Sequence, residues 1–137
     1  MINLAKYIQF TDVNPEMTKD KLIKHCETVL EYGFDAAMVA PCWAELAHDI
    51  LKGSSSHVAS CFSFPSGNDS TSMKVACVRE LIKLGVKDFD FTSQTSYLLS
   101  GMYDEYLLDL KSIAQVAKAE GAQTKVIIEF GLLNEEE

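Results

Sequence analysis

The chain has 137 residues, enough for one domain, and 47% of them are hydrophobic, which suffices for a core. Its net charge of −8 argues against nucleic acid or an anionic membrane surface as the main partner, because both select for basic patches. No apolar run reaches the roughly 20 residues of a membrane helix, and the opening "MINLAKYIQF" lacks the charged and long apolar regions of a secretion signal, so the expected compartment is the cytoplasm.

In chain order, the first strand-like run is "KYIQFTD", residues 6–12, with Gln9 and Thr11 on one face. A helix follows from Thr18, an N-cap residue, to Gly33 at the C′ position; Leu22, Ile23, Cys26, Val29 and Leu30 form its apolar stripe. "FDAAMVAP" (34–41) reads as the second strand. The second helix spans about 42–51, with Trp43, Leu46, Ala47 and Ile50 inward and Gly53 closing it.

"HVASCFSFP" (57–65) is the third strand, and "SFPSGNDS" (63–70) is a loop broken by Pro65 and Gly67. A loop at the C-terminal end of a strand suits an active site. The third helix, about 72–84, is capped by Ser70 or Thr71 and closed by Gly85. In "KDFDFTSQ" (87–94) Phe89 and Phe91 share one face while Asp88, Asp90 and Thr92 share the other. The fourth helix, about 103–120, turns Tyr106, Leu110, Ile113 and Ala117 to one side and ends at Gly121; the acids of "SGMYDEYLLDL" read as a solvated face. "KVIIEF" (125–130) is the fifth strand, with Val126, Ile128 and Phe130 opposite Lys125, Ile127 and Glu129. The closing "NEEE" suits the first turn of a further helix.

Strands alternating with helices in the order βαβαβαβαβ imply one α/β domain with a parallel sheet, occupying residues 1–137. A doubly wound sheet needs apolar side chains on both faces of its central strands. Here several strands have one apolar face and one carrying charges and hydroxyls. That pattern fits a (β/α) barrel of TIM type, whose interior turns polar near the active mouth. A full barrel has eight strands and about 250 residues, so five strands predict a partial barrel awaiting a sixth strand. Its open edges at the first and fifth strands invite pairing with another copy of the chain.

If the fourth and fifth strands are neighbours, Asp90 and Lys125 face the same interior, where an acid and an amine can pair as a proton relay or as a structural ion pair. Glu129 lies further along the Lys125 face. The cysteines at 26, 42, 61 and 77 show no close pairing, and His25, His48 and His57 add no metal-ligand spacing. Reduced, mostly buried thiols are expected, with no metal and no cofactor. Neither nucleotide-binding glycine motif occurs.

Six stretches in register carry a resemblance: "IQFTDVNP", "EYGFDAAMVAP" followed by "ILKG", "SFPSG", "GVKDFDFT", the Ser100–Gly101 pair, and "KVIIEFGLLNEEE". Together they resemble deoxyribose-phosphate aldolase, a class I aldolase on a β/α barrel, over the N-terminal part of that family. The resemblance implies reversible cleavage of 2-deoxyribose 5-phosphate to glyceraldehyde 3-phosphate and acetaldehyde through a lysine Schiff base, without a cofactor. It places the family's proton-relay aspartate on Asp90, its fifth-strand lysine on Lys125 and its substrate-contacting threonine on Thr11. Three positions depart: Gln9 stands for the opening aspartate, Phe10 for its histidine-like neighbour and Ala40 for an asparagine. The Schiff-base text K-T-S-T-G does not occur in the sequence. The resemblance thus supports either an aldolase-like protein, acting on a small phosphorylated sugar or aldehyde, or an inactive relative that self-associates or pairs with a partner chain.

Overall fold

The computed structural model describes residues 2–136. Five strands, β1 (Gln9–Asp12), β2 (Ala36–Val39), β3 (His57–Phe62), β4 (Val86–Thr92) and β5 (Gln123–Ile127), form one sheet in the order β1-β2-β3-β4-β5. Every pairing is parallel. Sequential order without a reversal separates this sheet from a doubly wound one, whose strand order switches direction at the ligand crevice. Crossovers of one hand between successive neighbours put all the covering helices on the same side.

Those helices are α1 (Lys19–Tyr32), α2 (Ala44–Leu51), α3 (Thr71–Lys83), α4 (Thr95–Leu99) and α5 (Tyr103–Ala119). Their local chemistry matches the expected punctuation. The Thr18 side chain accepts from the Lys21 amide, and Ser70 rather than Thr71 accepts from the Met73 amide. Gly33 closes α1 in the left-handed region at φ 63.

One core lies between helices and sheet. Leu22, Cys26 and Val29 of α1, Ala47 and Leu51 of α2, Val78 and Leu81 of α3, and Ile113 and Ala117 of α5 close over Val39, Val58, Phe62, Phe89 and Phe91. Phe62 stacks on Phe91 with ring centroids 5.5 Å apart. The opposite face carries only a small apolar cluster, Ala36, Met38 and Ala59, beside polar side chains. The sheet is therefore two-faced, as the barrel expectation required.

Its curvature shows in one contact. Lys125 on β5 donates a hydrogen bond to Gln9 Oε1 on β1. In a flat sheet strands lie about 4.8 Å apart, so the outer two of five would stand about 19 Å apart, beyond the joint reach of these side chains. The strands must curl, with β1 and β5 rising on either side of a concave polar face.

Four local expectations need correction. Leu4–Tyr7 is a 3-10 turn, so β1 starts at Gln9 and not at Lys6. β5 stops at Ile127: Glu129 takes φ 52, and Phe130–Leu132 forms another 3-10 turn, which breaks the alternation that would have placed Glu129 beside Lys125. α4 is an additional short helix inside the stretch from 94 to 102. α2 begins at Ala44, after a 3-10 turn over Pro41–Trp43.

The acids of α5 are not all solvated. Asp109 is 1% exposed, and its Oδ2 accepts from Lys74 Nζ of α3 at 2.8 Å. Thr71 donates to Asp109 Oδ1 at 2.7 Å, and Lys74 reaches Gln94 Oε1 at 3.4 Å. Lys74 is itself fully buried. This buried ion pair ties α3 to α5. The thiols differ as well: Cys26 is buried, Cys61 intermediate, and Cys42 and Cys77 exposed, all of them free.

Candidate functional site

Period-two alternation delivers the concave face. Cys61 pairs in register with Asp90, and Asp90 with Lys125, so these three side chains project to the same side of β3, β4 and β5. Lys125 Nζ lies 2.6 Å from Asp90 Oδ1, with the two side chains 47% and 26% exposed. The contact is an ion pair without hydrogen-bond alignment at that carboxylate oxygen. The same ammonium donates to Gln9. Asp90 and Lys125, predicted from spacing to face one another, are brought together.

Thr11 lies on the neighbouring part of this face. Its hydroxyl donates to the Gln9 carbonyl at 3.1 Å. It lines, with Met38, Cys61, Phe64, Asp90 and Ile127, a cavity of about 120 Å³. Lys125 is not among the cavity's lining residues; it meets the cavity through Asp90. Phe64 reaches this cavity from the loop after β3, within the stretch "SFPSG". Gly67 in that loop has φ 72, and a Cβ there would run into the Ser93 carbonyl oxygen after β4, so glycine is required for the loop to pack. Burial, and next to it the Asp90 charge, push the Cys61 thiol above its ordinary range. A larger open groove of about 390 Å³ runs along the β1–α1 loop past Asp12, Asn14, Glu16 and Lys21, outside the concave face.

Toward the N-terminal end of the strands a second polar chain begins. Gln9 Nε2 donates to Asp88 Oδ2 at 3.0 Å, and His57 Nε2 lies 2.7 Å from the same oxygen. His57 Nδ1 is 4.0 Å from Asp35 Oδ1. The cluster of Asp35, His57 and Asp88 brings potential metal-ligand atoms within 4.8 Å of one another, which the wide sequence spacing hid. As placed, His57 meets the two carboxylates through different ring nitrogens, Nε2 toward Asp88 and Nδ1 toward Asp35. Gln9, Asp88 and His57 are joined by hydrogen bonds, and Asp35 stands at ion-pair distance beyond them. His57 and Asp88 were missed as site residues; the only signal was their inward register on adjacent strands.

No family model matches the chain. Among curated proteins, the deoxyribose-phosphate aldolase of Thermococcus gammatolerans is 37% identical over 138 residues, covering 99% of this chain and 61% of its own length. That of Caldanaerobacter subterraneus is 33% identical over 138 residues, covering 100% of this chain and 60% of its own. A crystal structure provisionally named a deoxyribose-phosphate aldolase, from Coccidioides immitis, superposes with a TM-score of 0.91 at 26% identity, covering 96% of this chain and 51% of the other. The chain spans about three fifths of the length of the curated relatives it matches. In sequence and in fold it resembles the deoxyribose-phosphate aldolase family over that share of a member's length.

Proposed function

We propose that this chain supplies the proton-handling part of an aldolase site for 2-deoxyribose 5-phosphate. The observation that carries the reading is the Asp90–Lys125 pair, formed between register partners at the edge of a cavity that Thr11 also lines. In the reaction, a lysine amine condenses with the C1 aldehyde of the open-chain sugar and expels water. The C3 hydroxyl gives up its proton as the C2–C3 bond breaks, releasing glyceraldehyde 3-phosphate. The enamine takes a proton at C2, and hydrolysis frees acetaldehyde and the amine. Each of those proton transfers needs a positioned acid or base.

In this reading Asp90 and Lys125 take that task and Thr11 bonds the sugar; their ion pair and the cavity shared by Asp90 and Thr11 support it. Lys125 is poorly placed as the nucleophile. Its nitrogen donates to Gln9 and rests on Asp90, whereas attack on a carbonyl needs a free lone pair. In this reading the Schiff-base amine is a group other than that of Lys125.

The test combines borohydride trapping with amide chemical shifts. With 2-deoxyribose 5-phosphate, the resonances of Thr11, Asp90 and Ile127 should move saturably, more than with ribose 5-phosphate, and peptide mapping should find no reduced adduct on Lys125. An adduct on Lys125 overturns the division of labour. Resonances that stay still at millimolar sugar phosphate overturn the site.

A second reading is favoured by the edges. On β5 and just beyond, Val126 is 39% exposed, Ile128 48% and Phe130 80%, and on β1 Phe10 is 36% exposed. Paired with another copy or with a partner chain, these edges would be covered in an assembly without aldolase activity. Sedimentation as a monomer at micromolar concentration speaks against self-association.

A further inference from the structure

Gln9 joins the two polar chains of the concave face. A carboxamide has one end that only donates and one that only accepts. Its Nε2 donates to Asp88 Oδ2 at 3.0 Å, and its Oε1 accepts from Lys125 Nζ. Turned over, the amide would aim N–H groups at an ammonium and its oxygen at a carboxylate, two repulsions in place of two bonds. Both neighbours therefore select the same orientation. His57 Nε2, 2.7 Å from the same Asp88 oxygen, holds that carboxylate in place from β3.

The consequence falls on Lys125. Its side chain is 47% exposed and on an edge strand, free to swing into solvent unless it is held from more than one side. Asp90 holds it from β4 and Gln9 from β1. A carboxylate at position 9 could accept from Lys125 but would face Asp88 with like charge and no donor. The amide is the group that serves a carboxylate and an ammonium at once.

We propose that Gln9 is a positioning residue: oriented by Asp88 and His57, it holds the Lys125 ammonium against Asp90. This rests on the reading of Asp90 and Lys125 as the proton-handling pair, but its test needs no substrate.

The experiment is trace acylation of the full chain with acetic anhydride, scoring Lys125 against exposed Lys19 by peptide mass mapping. Gln9→Met, neutral and of similar size, should raise Lys125 labelling about fivefold, the equivalent of one ordinary hydrogen bond. Gln9→Glu keeps an acceptor for Lys125 and should leave its labelling at or below the wild-type level, although it disturbs the Asp88 side more. A residue that merely packs would make the two variants alike, and that result overturns the proposal. The orienting role is read from a cycle. Asp88→Asn removes a charge in either background, but removes the orienting partner only when Gln9 is present. Its effect on Lys125 should be at least about threefold larger in the wild-type background than in Gln9→Met. Equal effects in both backgrounds overturn that part. If labelling responds as described while the cavity ignores 2-deoxyribose 5-phosphate, the positioning role stands and the aldolase reading falls alone.

Discussion

Replacing Lys74 by methionine should be among the most damaging single changes available in this fold. Methionine fills most of the lysine's volume, so the perturbation is electrostatic rather than a cavity. It leaves Asp109, 1% exposed, without the ammonium 2.8 Å from its Oδ2 and with only the Thr71 hydroxyl on Oδ1. Breaking a buried pair from one side costs about 3–5 kcal/mol, because the remaining charge is stranded away from water. For 137 residues, unfolding entropy of about 2.1 cal/mol/K per residue gives roughly 290 cal/mol/K. The expected loss in Tm is then about 10–17 °C.

The second half of the argument is the double change Lys74→Met with Asp109→Leu. Removing both charges exchanges a costly buried pair for apolar contact between α3 and α5, and buried pairs replaced in this way are often neutral or better. Thermal and urea unfolding, followed by far-ultraviolet circular dichroism, should show the double variant within about 1.5 kcal/mol of wild type and well above either single variant. A Lys74→Met protein that loses less than about 1 kcal/mol would refute the claim that the pair is desolvated as well as joined.

Two further outcomes follow from the buried titratable groups. Burial lowers the His25 pKa below its ordinary 6.5, against the Phe10 carbonyl 3.0 Å from Nε2 and the Asp12 charge, which raise it. A depressed folded-state pKa means the unfolded chain binds the proton more tightly, so His25's contribution is fully present above 6.5 and is lost as pH falls through the folded value. The drop in Tm from about pH 7.5 to about pH 5.5 should therefore be smaller in His25→Gln than in wild type, and equal drops would contradict it. For the thiols, burial pushes Cys26 up to about 11, while Cys42 is exposed. A thiol-disulfide reagent at neutral pH should modify Cys42 rapidly and Cys26 only after unfolding, and modification of Cys26 in the native protein would show the α1 face to be open.

The parts of the fold legible in the sequence were those governed by local rules. Thr18, Ser70 and Gly33 mark helix ends because capping is decided within a few residues. The Asp90–Lys125 pair was legible because strand alternation and parallel neighbourhood suffice to put both on one face. What could not be read depends on contacts distant in sequence. Asp109 sits in an acidic helix and looks solvated; only the packing of α5 on α3, 35 positions away at Lys74, buries it. His57 and Asp88, 31 positions apart, carry no motif, and a one-residue change in register would have separated them. The early end of β5 escaped because "KVIIEF" has the composition of a longer strand, whereas the pairing with β4 ends at Ile127 opposite Thr92.

The departure from the family pattern at position 9 is best understood with these long-range contacts in view. Set against the aspartate that the resemblance implies at this position, Gln9 reads as a lost carboxylate and a reason to expect weaker chemistry. In the folded chain the position is flanked by Asp88 on one side and by the Lys125–Asp90 pair on the other. A carboxylate there would add a third negative charge beside Asp88 and Asp90, against one ammonium. The amide keeps the acceptor that Lys125 uses and supplies the donor that Asp88 uses, so the network closes without an unpaired charge. The substitution is coherent with its neighbours whether or not it alters turnover. A change at Gln9 should therefore be assayed with Asp88 and His57 rather than as an isolated site.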